Sequence, residues 1–139
     1  MPNWHQLIAL FQSFRFDALN KRVIIYAMMK IHIIRKKATS IQIKEMMESL
    51  DSYIKLAVDV KKGIVAGGGM LHADCEAVLL DDGSKQNDIW GADWLPDAKE
   101  VRFEALINLR PKQNNRSMII QDKKLRKEVD RIVRERLEQ

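Results

Sequence analysis

Apolar and polar residues alternate along three stretches of this chain, and alternation of that period is the mark of a strand. From Tyr53 to Val60, Ile54, Leu56, Val58 and Val60 share one face, while Tyr53, Lys55, Ala57 and Asp59 share the other. Leu71 to Leu80 alternates in the same way, with His72, Asp74 and Glu76 on one face and Ala73, Cys75 and Ala77 behind them. From Lys99 to Leu109, the apolar face of Val101, Phe103, Ala105, Ile107 and Leu109 opposes Glu100, Arg102, Glu104 and Asn108, with Leu106 interrupting the polar row. Gly67-Gly68-Gly69 and Asp81-Asp82-Gly83-Ser84 supply turn residues between the stretches. The three together read as an antiparallel meander.

Helical spacing flanks the meander. Ile43, Met46, Met47 and Leu50 form a one-sided stripe behind Thr39 and Gln42, which have the spacing of a capping box. Leu125, Val129, Ile132, Val133 and Leu137 form a second stripe behind Asp122, a suitable N-cap. Its outer face carries the opposite-charge pairs Lys124/Glu128, Asp130/Arg134 and Arg131/Glu135. A short strand at Lys30 to Ile34 precedes the first helix. The expected fold is thus a small α+β single domain over residues 28–139, ordered strand, helix, three-stranded antiparallel meander, helix, with both helices packed on one face of the sheet. Residues 1–27 stand apart as an N-terminal extension. They form either an amphipathic helix, with Trp4, Leu7, Ile8, Leu10, Phe11 and Phe14 as its stripe, or a segment outside a natural core that begins at Met28 or Met29.

Composition narrows the class. A chain of 139 residues closes a modest core without disulfides or metal. With Cys75 as its single cysteine it has no intrachain disulfide, which fits a reducing, cytoplasmic compartment. No apolar run reaches the roughly 18 residues of a membrane span, and the start lacks the pattern of a secretory signal. The formal net charge is +5, yet residues 63–104 carry nine acidic side chains against three basic ones. A nucleic-acid binder concentrates positive charge on its working surface, whereas the stretch densest in polar signals here is acidic. That distribution points to a cation, a basic protein partner, or self-association into a homo-oligomer.

Candidate chemistry centres on the second alternating stretch. On a strand, His72, Asp74 and Glu76 would project together, and an imidazole with two carboxylates is a ligand set for a divalent metal or a means of activating water. A hydrogen-bonded cluster or an exposed polar face uses the same pattern. Glu104 and Asn108 would face this row from a neighbouring strand, making Glu104 a fourth candidate catalytic group. Trp90, Asp93 and Trp94 surround Gly91 in a segment read as a loop, either a lid over the sheet edge or a stacking platform for a ligand. Arg110 and Arg116 would anchor an anionic group or salt-bridge the acidic face. Gly67-Gly68-Gly69 reads as a hairpin turn or an anion nest, and Cys75, between alanines, as core.

Several phrases carry a resemblance: Ile64-Val65-Ala66-Gly67-Gly68-Gly69, His72-Ala73-Asp74-Cys75-Glu76, Asp82-Gly83-Ser84-Lys85-Gln86, Asp88-Ile89-Trp90-Gly91-Ala92-Asp93-Trp94, Ile107-Asn108-Leu109-Arg110-Pro111 and Asn115-Arg116-Ser117-Met118. Through them residues 29–139 resemble a small bacterial family, with many cyanobacterial members, catalogued only as a domain of unknown function. The resemblance implies a domain starting near Met28 or Met29 and brings no activity. It also implies an acidic residue where this chain has Ile119, which removes one member from any carboxylate site. Two functional readings follow. One is a non-catalytic binding or structural module with an acidic and aromatic face. The other is a divalent-metal-dependent, hydrolase-like enzyme acting on an anionic small molecule.

Overall fold

The computed structural model describes residues 3–5, 24 and 29–139. Along the chain run β1 (His32–Ile34), α1 (Ser40–Met46), β2 (Ile54–Asp59), β3 (Ile64–Gly67), α2 (His72–Asp81), β4 (Ile89–Leu95), β5 (Glu100–Arg102) and α3 (Lys123–Leu137), with single 3-10 turns between several of them. All strand pairs are antiparallel, and the five strands lie in the order β1-β3-β2-β4-β5. The expected α+β class therefore holds. Of the segment 1–27, the stripe residues beyond Trp4 lie outside the described residues.

Alternation sorts the sheet's side chains into two cores. Ile34, Leu56, Val58, Val65, Trp90, Ala92, Trp94 and Val101 face α1 and α3, which meet them with Ile43, Met46, Val129, Ile132, Val133 and Leu137. Both expected helices thus pack on one face. Thr39 closes its capping box with Gln42, and the Asp122 carboxylate accepts from the N–H groups of Lys124 and Leu125, as their spacing predicts. Asp130 and Arg134 pair as expected, and Arg131 holds both Glu135 and Glu128, so Glu128 turns to Arg131 and not to Lys124.

The opposite face is where the structure departs from the meander. Residues 71–80, expected as a strand, fall instead in α2 and its N-cap, and α2 lays Cys75 and Leu79 on Ala57, Ile64, Ala66 and Ile89. The alternation misleads because α2 meets this face with only two fully buried residues, Cys75 and Leu79, four apart. Ala73, Glu76, Ala77, Leu79 and Leu80 are also good helix formers. The hairpin expected at Gly67-Gly68-Gly69 instead sits between β2 and β3, where Gly63 adopts φ +67° and the Asp59 carboxylate accepts from the N–H groups of Lys61 and Lys62. Gly68 and Gly69 carry the chain from β3 over to α2.

The segment read as a tryptophan loop is β4, paired on one side with β2 over Ile54 to Asp59 and on the other with β5. The expected strand from 99 to 109 contributes only Glu100–Arg102, so β5 leaves the outer edge of β4 uncovered around Gly91. Residues 104–119 then fold as an irregular hairpin, bridged at Glu104/Ile119 and at Arg110/Asn115, with one 3-10 turn, Leu106–Asn108, on its first arm and another, Pro111–Gln113, at its tip. No described helix is long and apolar enough to cross a membrane.

Candidate functional site

Helical geometry redistributes the row of His72, Asp74 and Glu76. Residues four apart share a helix face, so His72 and Glu76 project together, while Asp74 sits in the first turn and accepts from the Leu71 N–H at 3.1 Å. His72 Nε2 lies 2.7 Å from Asp93 Oδ1 on β4, with both side chains nearly buried. Glu76 Oε2 takes a hydrogen bond from Arg110 Nη2 at 3.2 Å. The metal set expected from a strand face is not assembled, and among the described residues no group of three His, Cys, Asp or Glu side chains stands close enough to hold a metal ion. Glu104 is exposed and lines a depression of about 460 Å³ together with Asp93 and Ile119, which neither His72 nor Glu76 lines.

Arg110 is the most heavily engaged of the candidates. Besides Glu76, its guanidinium donates to the carbonyls of Ile107 (2.8 Å) and Gln86 (2.7 Å) and to Gln113 Oε1 (3.3 Å). It lies 4.7 Å from the centre of the Trp90 ring. Burial raises the Glu76 pKa and the nearby Arg110 charge pulls it back; burial lowers that of Arg110 and Glu76 opposes the change. With four acceptors and an aromatic face to serve, Arg110 fixes the first arm of the 104–119 hairpin to α2 and to the chain before β4. Its donors are spent on that clamp, which leaves little for an anionic ligand.

Asn108, expected on a polar strand face, is fully buried. Its side chain accepts from the Gly91 N–H at 2.7 Å and donates to the Gly91 carbonyl at 3.0 Å and the Phe103 carbonyl at 3.1 Å. Asn115 fastens the second arm: it donates to the carbonyls of Asn108, Ser117 and Ile119 and accepts from the Gln121 N–H. This residue escapes a reading of the sequence because an asparagine in a polar loop, here beside Asn114, has no periodic signal. Trp90 and Trp94, expected at the mouth of a site, point into the α1/α3 core and are 4% and 2% exposed. Arg116 is exposed at the second arm.

What the hairpin leaves outside is apolar. Leu106 is 71% exposed and Leu109 46%, and both line a cleft of about 700 Å³ between α2 and the first arm, with Glu76, Arg110 and Lys112 also in its wall. Met118 and Ile119 on the second arm are also exposed. Leu106, the one apolar intrusion in an otherwise polar row, was the trace of this surface in the sequence. Chemically, the His72–Asp93 pair has the form used for proton transfer. Cys75 is no nucleophile for it, because burial pushes the thiol up to about 12.

Residues 32–136 match the family described as Protein of unknown function (DUF5674), and the chain belongs to that family. Comparison with curated proteins and with solved structures yields no match.

Proposed function

We propose that this DUF5674 member is a non-catalytic binding module and that its docking surface is the Leu106/Leu109 ridge beside the cleft on α2. The observation that carries this reading is where the polar chemistry of the hairpin is spent. Asn108, Arg110 and Asn115 direct their side chains to internal acceptors, and by doing so hold Leu106 and Leu109 outward in water. Exposed leucines cost a free protein solubility and contribute nothing to its core, whereas a fixed apolar ridge bordered by polar groups is the anatomy of a protein interface.

The acidic part of the expected face survives in this reading through Glu104, exposed two residues before Leu106, and Glu76 in the wall of the cleft. The aromatic part does not, since both tryptophans are core. Small organic probes such as isopropanol and phenol, titrated while amide and methyl signals are followed by nuclear magnetic resonance, test the proposal. Shifts concentrated on Leu106, Leu109 and the cleft wall are expected. Shifts gathered instead around His72 and Asp93, with the ridge silent, would contradict it and return attention to a reactive site.

A further inference from the structure

The hairpin also says what kind of surface would fit it. Its first arm runs from Glu104, at the bridge to Ile119, through Leu106 and Leu109 to Lys112 in the turn at the tip, with Arg116 just across the Arg110/Asn115 bridge. Charge is therefore ordered along the arm: acid at the base, apolar residues in the middle, cations at the tip. The side chains of Glu104, Lys112 and Arg116 are exposed and have no ion-pair or hydrogen-bond partner among the described residues, unlike Glu76, Asp93 and Arg110 further in.

Such an order is self-complementary. Two copies related by a two-fold axis and laid antiparallel set the leucines of one arm on the leucines of the other. Each Glu104 then meets the Lys112 and Arg116 end of the opposite copy. A partner of uniform charge would satisfy one end of the arm and be repelled at the other. Resting on the reading of the ridge as a docking surface, we propose that its occupant is a second copy of this chain, in an isologous dimer through residues 104–116.

Sedimentation velocity over a concentration series tests this with three proteins: wild type, Glu104→Lys and Lys112→Glu. Both substitutions fall on exposed, unpaired side chains, so circular dichroism and the unfolding midpoint should match wild type. Wild type is expected to show a monomer–dimer equilibrium. Each charge reversal alone places like charges at both ends of the interface and should weaken dimerisation about tenfold. An equimolar mixture of the two variants should recover wild-type association. In the mixed dimer the lysine introduced by Glu104→Lys faces the glutamate introduced by Lys112→Glu, and the unaltered Glu104 of the second variant faces the unaltered Lys112 of the first. A wild type that stays monomeric throughout would overturn the proposal, as would a dimer indifferent to the reversals or a mixture that fails to recover. In a protein that sedimentation shows to be monomeric, probe shifts that still gather on Leu106 and Leu109 would leave the docking surface in place with a different occupant, and a silent ridge would remove both.

Discussion

Asn108 stands against Gly91 as a strand would, accepting from its N–H and donating to its carbonyl across the edge of β4 that β5 does not reach. One side-chain amide supplies the two hydrogen bonds that a neighbouring residue exchanges in an antiparallel ladder. The hairpin bearing the Leu106/Leu109 ridge is thereby built onto the sheet.

Removing that amide should expose the dependence. Asn108→Ala leaves a buried N–H and a buried carbonyl of Gly91 without partners, each worth about 1–3 kcal/mol, so a loss of roughly 3 kcal/mol or more in urea unfolding is expected. A loss under about 1 kcal/mol would mean that water or a shifted backbone replaces the amide with ease.

Gly91 itself is fixed by the same approach. A Cβ at this position would stand 2.5 Å from Ala105 Cβ and 3.0 Å from Ile107 Cγ1, on the arm that Asn108 holds in place. Gly91→Ala should therefore cost about 1–3 kcal/mol by overpacking and loosen the ridge, seen as faster amide exchange at Ala105 and Asn108. Unchanged exchange would show that the arm yields without consequence.

The Glu76–Arg110 clamp should leave a signature in pH. Burial raises the Glu76 pKa in the folded protein, so the fold binds a proton there more readily than the unfolded chain does. The contribution of Glu76 is then most favourable below the usual glutamate range and is lost as pH rises through its elevated folded value. Stability of wild type relative to Glu76→Gln should accordingly decline with rising pH across that window in a series of denaturant titrations. A relative stability that increases with pH would reverse the sign and make ion pairing with Arg110 the stronger effect.

Cys75 should be inert. It is buried between α2 and the sheet, its Sγ 3.4 Å from the Lys55 carbonyl, and its thiol is pushed up to about 12. Thiol reagents are expected to label it only after denaturation. Rapid labelling of the native protein would show that α2 lifts from the sheet.

The sequence made the α1/α3 side of the molecule legible and the α2 side less so. Ile54, Leu56 and Val58 declared one strand, and Thr39, Gln42 and Asp122 marked helix starts that the structure reproduces, because each signal is local and follows directly from backbone period or capping chemistry. Leu71 to Leu80 failed because a ten-residue helix that buries only Cys75 and Leu79 can imitate alternation. Trp90 to Leu95 failed because Gly91 and Asp93 look like breakers until the tertiary reasons for them appear, Asn108 and Ala105 pressing on the first and His72 on the second. Within the candidate site, the proximity of His72 to Asp93 and of Glu76 to Arg110 depends on α2 crossing the sheet. No spacing along the chain announces it.

Display of Leu106 and Leu109 for binding, outside the core, is the central claim and the one most directly open to measurement. The decisive experiment is the titration with organic probes repeated on Leu106→Ser/Leu109→Ser, with its thermal midpoint determined alongside. Exposed side chains free of structural duty should leave the midpoint within about 2 °C of wild type, while the probe-induced shifts along the arm disappear. A midpoint lowered by several times that amount, or shifts that persist without the leucines, would contradict it.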